Sequence, residues 1–171
     1  MVRTLKLITV ILFAFTLSTC TPRHKGTNVD TALYDIYLDF IEDCERHGID
    51  ITEYPTLSNL KQKTISEEIV GICVTDEFLF MKYRNIFISN NLTDEFLLKF
   101  IVYHEMGHCV FNMGHDKGEE ITIMTEEINL LNRDLYYKNW SKLKSVYFDK
   151  IHTMSDTISI DGSYNCTIKY H

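Results

Sequence analysis

The sequence predicts a single α+β domain, in which a small mixed sheet packs with an N-terminal helix, a long middle helix and a C-terminal helix. Around residues 31–48, 94–113 and 132–151 the apolar side chains recur at spacings of three and four, as they do on amphipathic helices. Two short runs rich in Ile, Val and Phe, EEIVGICVTD at 67–76 and NIFISNN at 85–91, have the composition of strands. The 171 residues, 45% of them hydrophobic with 10 Phe and 10 Tyr, suffice for one packed core and not for two.

The chain opens with MVRTLKLITVILFAFTLSTC, where Arg3 and Lys6 precede an apolar run from Leu7 to Leu17. That run has the length of a signal-peptide core and falls short of the roughly 20 residues a membrane span needs. Residues 1–19 are therefore expected to be an export signal. Residues 20–30 hold no large apolar side chain beyond Val29 and are expected to be a solvated tether, with the folded domain at 31–171. In ALYDIYLDFIEDCERHG, Leu33, Ile36, Tyr37, Phe40, Ile41 and Cys44 form the apolar face of the first helix, and Gly48 stops it. Polar residues and Pro55 make 54–64 a loop. The two strands follow, separated by a stretch containing the apolar FLFM.

Thr93 or Asp94 can cap the middle helix, DEFLLKFIVYHEMGHCVFNM, with Glu95 in its first turn. A polar turn, GHDKGEE, leads through ITIMTEEINLL into NRDLYYKNWSKLKSVYFDKI. There Leu135, Trp140, Leu143, Val146, Tyr147 and Ile151 make the expected buried stripe of one last helix. The tail TISIDGSYNCTIKY at 157–170 alternates around Asp161-Gly162, a two-residue hairpin signal.

Loss of residues 1–19 removes two basic groups, Arg3 and Lys6, leaving 15 of 17 against 24 acidic residues, a formal charge of −9. Such a balance argues against nucleic acid as a partner. Beyond Cys20 the chain keeps Cys44, Cys73, Cys109 and Cys166. An even number in an oxidising compartment permits one or two disulfides, in three complete pairings, or buried free thiols.

Chemistry concentrates in HEMGHCVFNMGHD, residues 104–116. On a helix, residues four apart sit on one face roughly 5 to 6 Å apart, so His104 and His108 can aim ring nitrogens at one ion. Glu105 stands about 100° further round, where it can reach a water on that ion. This is the logic of HExxH, in which two imidazoles fix zinc and the carboxylate takes a proton from the zinc-bound water. A third ligand requires the chain to turn back, which Asn112 and Gly114 can do through positive φ. His115 would then close a three-histidine site with one position open, as catalytic zinc requires. Cys109 follows His108 directly, points to another helix face, and suits a core or disulfide role.

HEMGH followed by a turn and a third histidine resembles the metzincin clan of zinc metallopeptidases, and especially small bacterial lipoproteins with an HELGHC-type motif. Metzincins usually read HExxHxxGxxH; here Phe111 stands in the glycine position and the third histidine comes one residue later. The resemblance implies a zincin-like fold in which the middle helix carries the active site, with zinc held by His104, His108 and His115 and Glu105 as the catalytic base. It further implies a methionine turn beneath the metal, for which ITIMTE offers Met124. The LSTC at residues 17–20 is similar to a lipobox, with Thr19 before the cysteine. That similarity implies lipidation at Cys20 and a place in the bacterial cell envelope, outer membrane or periplasm.

The expected function is therefore an envelope-anchored zinc endopeptidase that acts on a peptide or protein substrate and meets the membrane through its lipid. Two other readings stay open: a non-catalytic zinc-binding lipoprotein, and an envelope interaction protein without metal. Within the peptidase reading, a gluzincin-type site would take Glu126 or Glu127 as third ligand in place of His115.

Overall fold

The computed structural model of the chain describes residues 26–78, 81–118, 120–128, 132–155 and 166–170. Four strands of five or more residues form the body of a mixed sheet: β2 (Leu57–Lys63), β3 (Ile69–Phe78), β4 (Met81–Ser89) and β6 (Cys166–Tyr170). Two-residue strands, β1 (Asn28–Val29) and β5 (Glu127–Ile128), extend its edges, giving the order β1-β2-β4-β3-β6-β5. The helices are α1 (Tyr34–Arg46), α2 (Glu95–Cys109), α3 (Arg133–Lys138) and α4 (Trp140–Ser155). The architecture is thus mixed α+β, as expected.

The two expected strands are an antiparallel hairpin, β3 with β4, in which Cys73 pairs with Ile86 and Gly71 with Ile88. Each strand runs further than expected at the end facing the other, so that Phe78 pairs with Met81. The loop expected at 54–64 gives way to β2 from Leu57. LSNLKQK lacks alternation because its two buried residues, Leu57 and Leu60, are three apart, and a register shift between Leu57 and Asn59 reconciles that spacing with burial. Parallel pairing with β4 then supplies hydrogen bonds that no local pattern announces.

Two further boundaries move. Asn28 and Val29 pair in parallel with Asn59 and Leu60, and the Thr27 hydroxyl donates to Leu57 O at 2.7 Å, so the end of the expected tether belongs to the sheet. The single helix expected over 132–151 is two. Asn139 breaks it at φ −100°, ψ 8°, and its side-chain amide donates to Leu135 O at 2.9 Å. The break turns Tyr136 inward and leaves Leu135 45% exposed, while Val146 on α4 is 44% exposed, so neither joins the expected stripe. Both instead line a cleft of about 290 Å³ with Ile121, Leu143 and Lys142. The turn of the expected hairpin lies outside the described residues. Its second arm, β6, pairs antiparallel with β3 and parallel with β5.

The core lies between α2, the sheet, α1 and α4. Phe40 of α1 packs edge-on against Tyr103 of α2 at 5.0 Å and lies 6.0 Å from Phe111 and 6.3 Å from Phe148. Asp43, 2% exposed, is held within this core by Tyr103 Oη at 2.7 Å, Lys144 Nζ at 2.6 Å and Arg46 Nη1 at 2.7 Å. Two hydrogen-bond donors on Oδ2 and the Arg46 ion pair on Oδ1 meet the requirement that a buried charge be paired. The consequence for function is a rigid α2, gripped on the α1 and α4 sides.

Candidate metal centre

Helix α2 starts where the sequence placed a cap. Asp94 is in extended conformation and its carboxylate accepts from Leu97 N–H at 2.9 Å, with Glu95 in the first turn. The helix ends at Cys109, and Asn112 takes up φ 56°, the left-handed region. Asn112 therefore makes the reversal, and Gly114 does not. Across that turn Met113 N–H donates to Gly107 O at 2.9 Å, folding the chain back over the last helical turn and delivering His115 to the helix face.

Three imidazoles then converge. Nε2 of His104 and His108 are 2.7 Å apart, those of His108 and His115 3.2 Å, and those of His115 and His104 3.3 Å. Tetrahedral ligands at about 2.0 to 2.1 Å from an ion stand about 3.3 to 3.4 Å from one another. The two separations to His115, 3.2 and 3.3 Å, lie at or just below that figure, and the third is shorter. Backbone carbonyls orient the two helical rings: His104 Nδ1 lies 2.7 Å from Ile123 O and His108 Nδ1 2.6 Å from Met113 O. A carbonyl can only accept, so each Nδ1 carries the proton and each Nε2 turns a lone pair inward. Lone pairs facing one another at such distances repel unless a cation lies between them, so this donor set fits a bound metal. Among the described residues these three histidines form the one group of three or more His, Cys, Asp or Glu able to hold an ion.

Electrostatics favour neutral rings. Burial pushes His104 well below the ordinary histidine range, with His108 adding to the effect. Burial likewise lowers His108 to about 4 and brings His115 down. All three stay neutral at pH 7, the form a metal needs.

Glu105 is fully buried; neither carboxyl oxygen completes a hydrogen bond of normal geometry, and the backbone of Cys73 is the polar group that acts on it. Burial raises its pKa well above the carboxylate range, opposed in part by a hydrogen bond from the Cys73 backbone. It reaches this position because β3 passes over it at a glycine. A Cβ on Gly71 would stand 2.6 Å from Glu105 Oε1 and 2.7 Å from Ile101 Cγ2. Gly71 is the site residue that sequence reasoning missed; its signal was a lone glycine inside a strand, which marks close backbone approach.

Met124 sits under the helix. A Cβ on Gly107 would stand 2.5 Å from its Sδ, so the glycine between the two helical histidines is what admits the methionine. The same turn supplies Ile123 O to His104. Cys109 bonds to Cys73 with Cα atoms 5.6 Å apart, tying the end of α2 to β3, while Cys44 is a buried free thiol. Arg84, another residue with no sequence signal, donates to Cys109 O and caps the same end. Glu126 is exposed and lies outside the cluster, which His115 completes with His104 and His108; the side chain of Glu127 is outside the described residues. Residues 1–19 and Cys20 also lie outside them. No helix among the described residues is long and apolar enough to cross a membrane. No family model, no curated protein and no solved structure matches the chain.

Proposed function

We propose that the chain is a zinc-dependent peptidase of the cell envelope, with His104, His108 and His115 holding zinc and Glu105 as the catalytic proton carrier. One observation carries the reading: three convergent Nε2 atoms, two of them on α2, and a fully buried carboxyl on that same helix. Donor chemistry favours zinc, since imidazole suits it and three protein ligands with a fourth position open are the catalytic pattern. Zinc bound there supplies Lewis-acid polarisation of a peptide carbonyl and of water. Glu105 takes the proton of the attacking water on a carboxyl oxygen and passes it to the departing amide nitrogen. Its raised affinity for a proton suits the first of these transfers. The carbonyls of Ile123 and Met113 keep the rings in the tautomer the reaction needs. An export signal at 1–19 and a lipid on Cys20 would place the site at the envelope, which membrane fractionation of Cys20→Ser tests by release into the soluble fraction.

One observation favours a second reading, a zinc-holding protein without catalysis: Glu105 has no exposed surface. Zinc content and cleavage of a broad peptide library, measured on the purified chain, separate the two. The peptidase reading expects Glu105→Gln to keep zinc and lose cleavage, and His104→Ala to lose both. Zinc without cleavage in the wild type selects the binding protein, and no zinc at neutral pH overturns both.

A further inference from the structure

Asp116, the residue after His115, is outside the histidine cluster, yet four interactions converge on it. Its Oδ2 accepts from the Thr122 hydroxyl at 2.7 Å, and its Oδ1 is ion-paired with Lys150 of α4. Its N–H donates to Met124 O at 2.9 Å, and it forms a parallel bridge with Thr125. Both carboxylate oxygens are therefore engaged away from the imidazoles.

The three histidines differ in where they stand. His104 and His108 stand on α2, and each has its ring pinned by a carbonyl. His115 stands on a loop beyond a left-handed turn, where ordering a side chain for a metal costs entropy unless the loop is already fixed. Asp116 is where that loop is fixed. It joins the third histidine to the turn whose Ile123 O orients the first and whose Met124 underlies Gly107. Lys150 adds an electrostatic side: ion-paired with Asp116 Oδ1, its ammonium stands beside the residue that follows His115. An unpaired ammonium there would repel a bound cation.

We propose that Asp116 is a positioning residue, which together with Lys150 and Thr122 presents His115 to the metal and neutralises Lys150 beside it. The proposal rests on reading the three histidines as a metal centre. Removal of groups that hold a ligand in place typically weakens metal binding about 10- to 100-fold.

The test uses the purified chain as wild type, Asp116→Ala, Lys150→Met, Thr122→Val and the pair Asp116→Ala/Lys150→Met. Zinc affinity is read by chelator competition, the visible spectrum with Co²⁺, and the melting temperature without metal. Asp116→Ala is expected to weaken zinc about 10- to 100-fold, to lose intensity in the tetrahedral cobalt bands, and to melt close to wild type without metal. Adding Lys150→Met should recover part of the loss, which a purely structural role would not do. Zinc affinity within twofold of wild type in Asp116→Ala overturns the positioning role alone. Should that variant not fold, unchanged affinity in both Lys150→Met and Thr122→Val overturns it instead. A wild type that takes up neither Zn²⁺ nor Co²⁺ overturns the metal centre itself.

Discussion

Replacing Gly71 by alanine tests whether the close passage of β3 over Glu105 matters. The added Cβ would stand 2.6 Å from Glu105 Oε1 and 2.7 Å from Ile101 Cγ2, where ordinary contact begins at 3.4 Å, so about 0.7 to 0.8 Å must be found. Glu105 Oε1 ends a flexible side chain and can yield, but Ile101 is β-branched on α2 and yields only if helix and sheet part. Overpacking of this kind costs about 1 to 3 kcal/mol. A reacting group displaced by about 1 Å loses about 100-fold in rate. The three Nε2 atoms do not meet residue 71, so zinc affinity should stay within a few-fold of wild type. Urea denaturation, chelator competition and turnover of a peptide that the wild type cleaves measure the three quantities on one preparation. Gly71→Ala with wild-type stability and wild-type turnover would refute the tight passage and the role given to Glu105 beneath it.

Cys73→Ser with Cys109→Ser opens a link across 36 residues, for which loop entropy gives about 4 kcal/mol; urea denaturation should show a loss near that size, and equal stability counts against it. Burial opposes ionisation of Asp43, but Lys144, Tyr103 and Arg46 outweigh it and lower its pKa in the fold. The unfolded chain then binds the proton first, so the stabilisation is complete above the ordinary value near 3.8 and is lost as pH falls through the lower folded value. Lys144→Met should shift acid unfolding to higher pH and cost about 1 to 3 kcal/mol at neutral pH, and an unchanged acid transition contradicts the pairing. Zinc at about 1,000 times its dissociation constant should add about 4 kcal/mol to stability and a chelator should remove it, with a metal-independent melting temperature as the contrary result.

Helix α2 was legible because its information is local: Asp94 caps it, its apolar spacing is regular, and four residues separate His104 from His108. His115 was legible as a candidate because only a left-handed residue could bring it back, and of the two able to do so Asn112 is the one used. What could not be read rests on pairings between distant segments. Strand β2 depends on β4 for its hydrogen bonds and carries two buried leucines at an odd spacing. The choice of Cys73 as partner of Cys109, among three pairings, follows from how α2 lies on β3, which no cysteine spacing encodes. Leu135 and Tyr136 exchange roles because Asn139 breaks the last helix, and asparagine is ordinary enough in helices to give little warning. Gly71 showed only the absence of a side chain, and its meaning depends on Glu105 lying beneath it.

The central claim, that His104, His108 and His115 together hold one zinc ion, meets its most direct test in zinc X-ray absorption of the loaded protein. The expected spectrum shows three imidazoles and one further light ligand at about 2.0 to 2.1 Å, falling to two imidazoles in His115→Ala. Sulfur at about 2.3 Å, or a wild-type spectrum unchanged by His115→Ala, would contradict it.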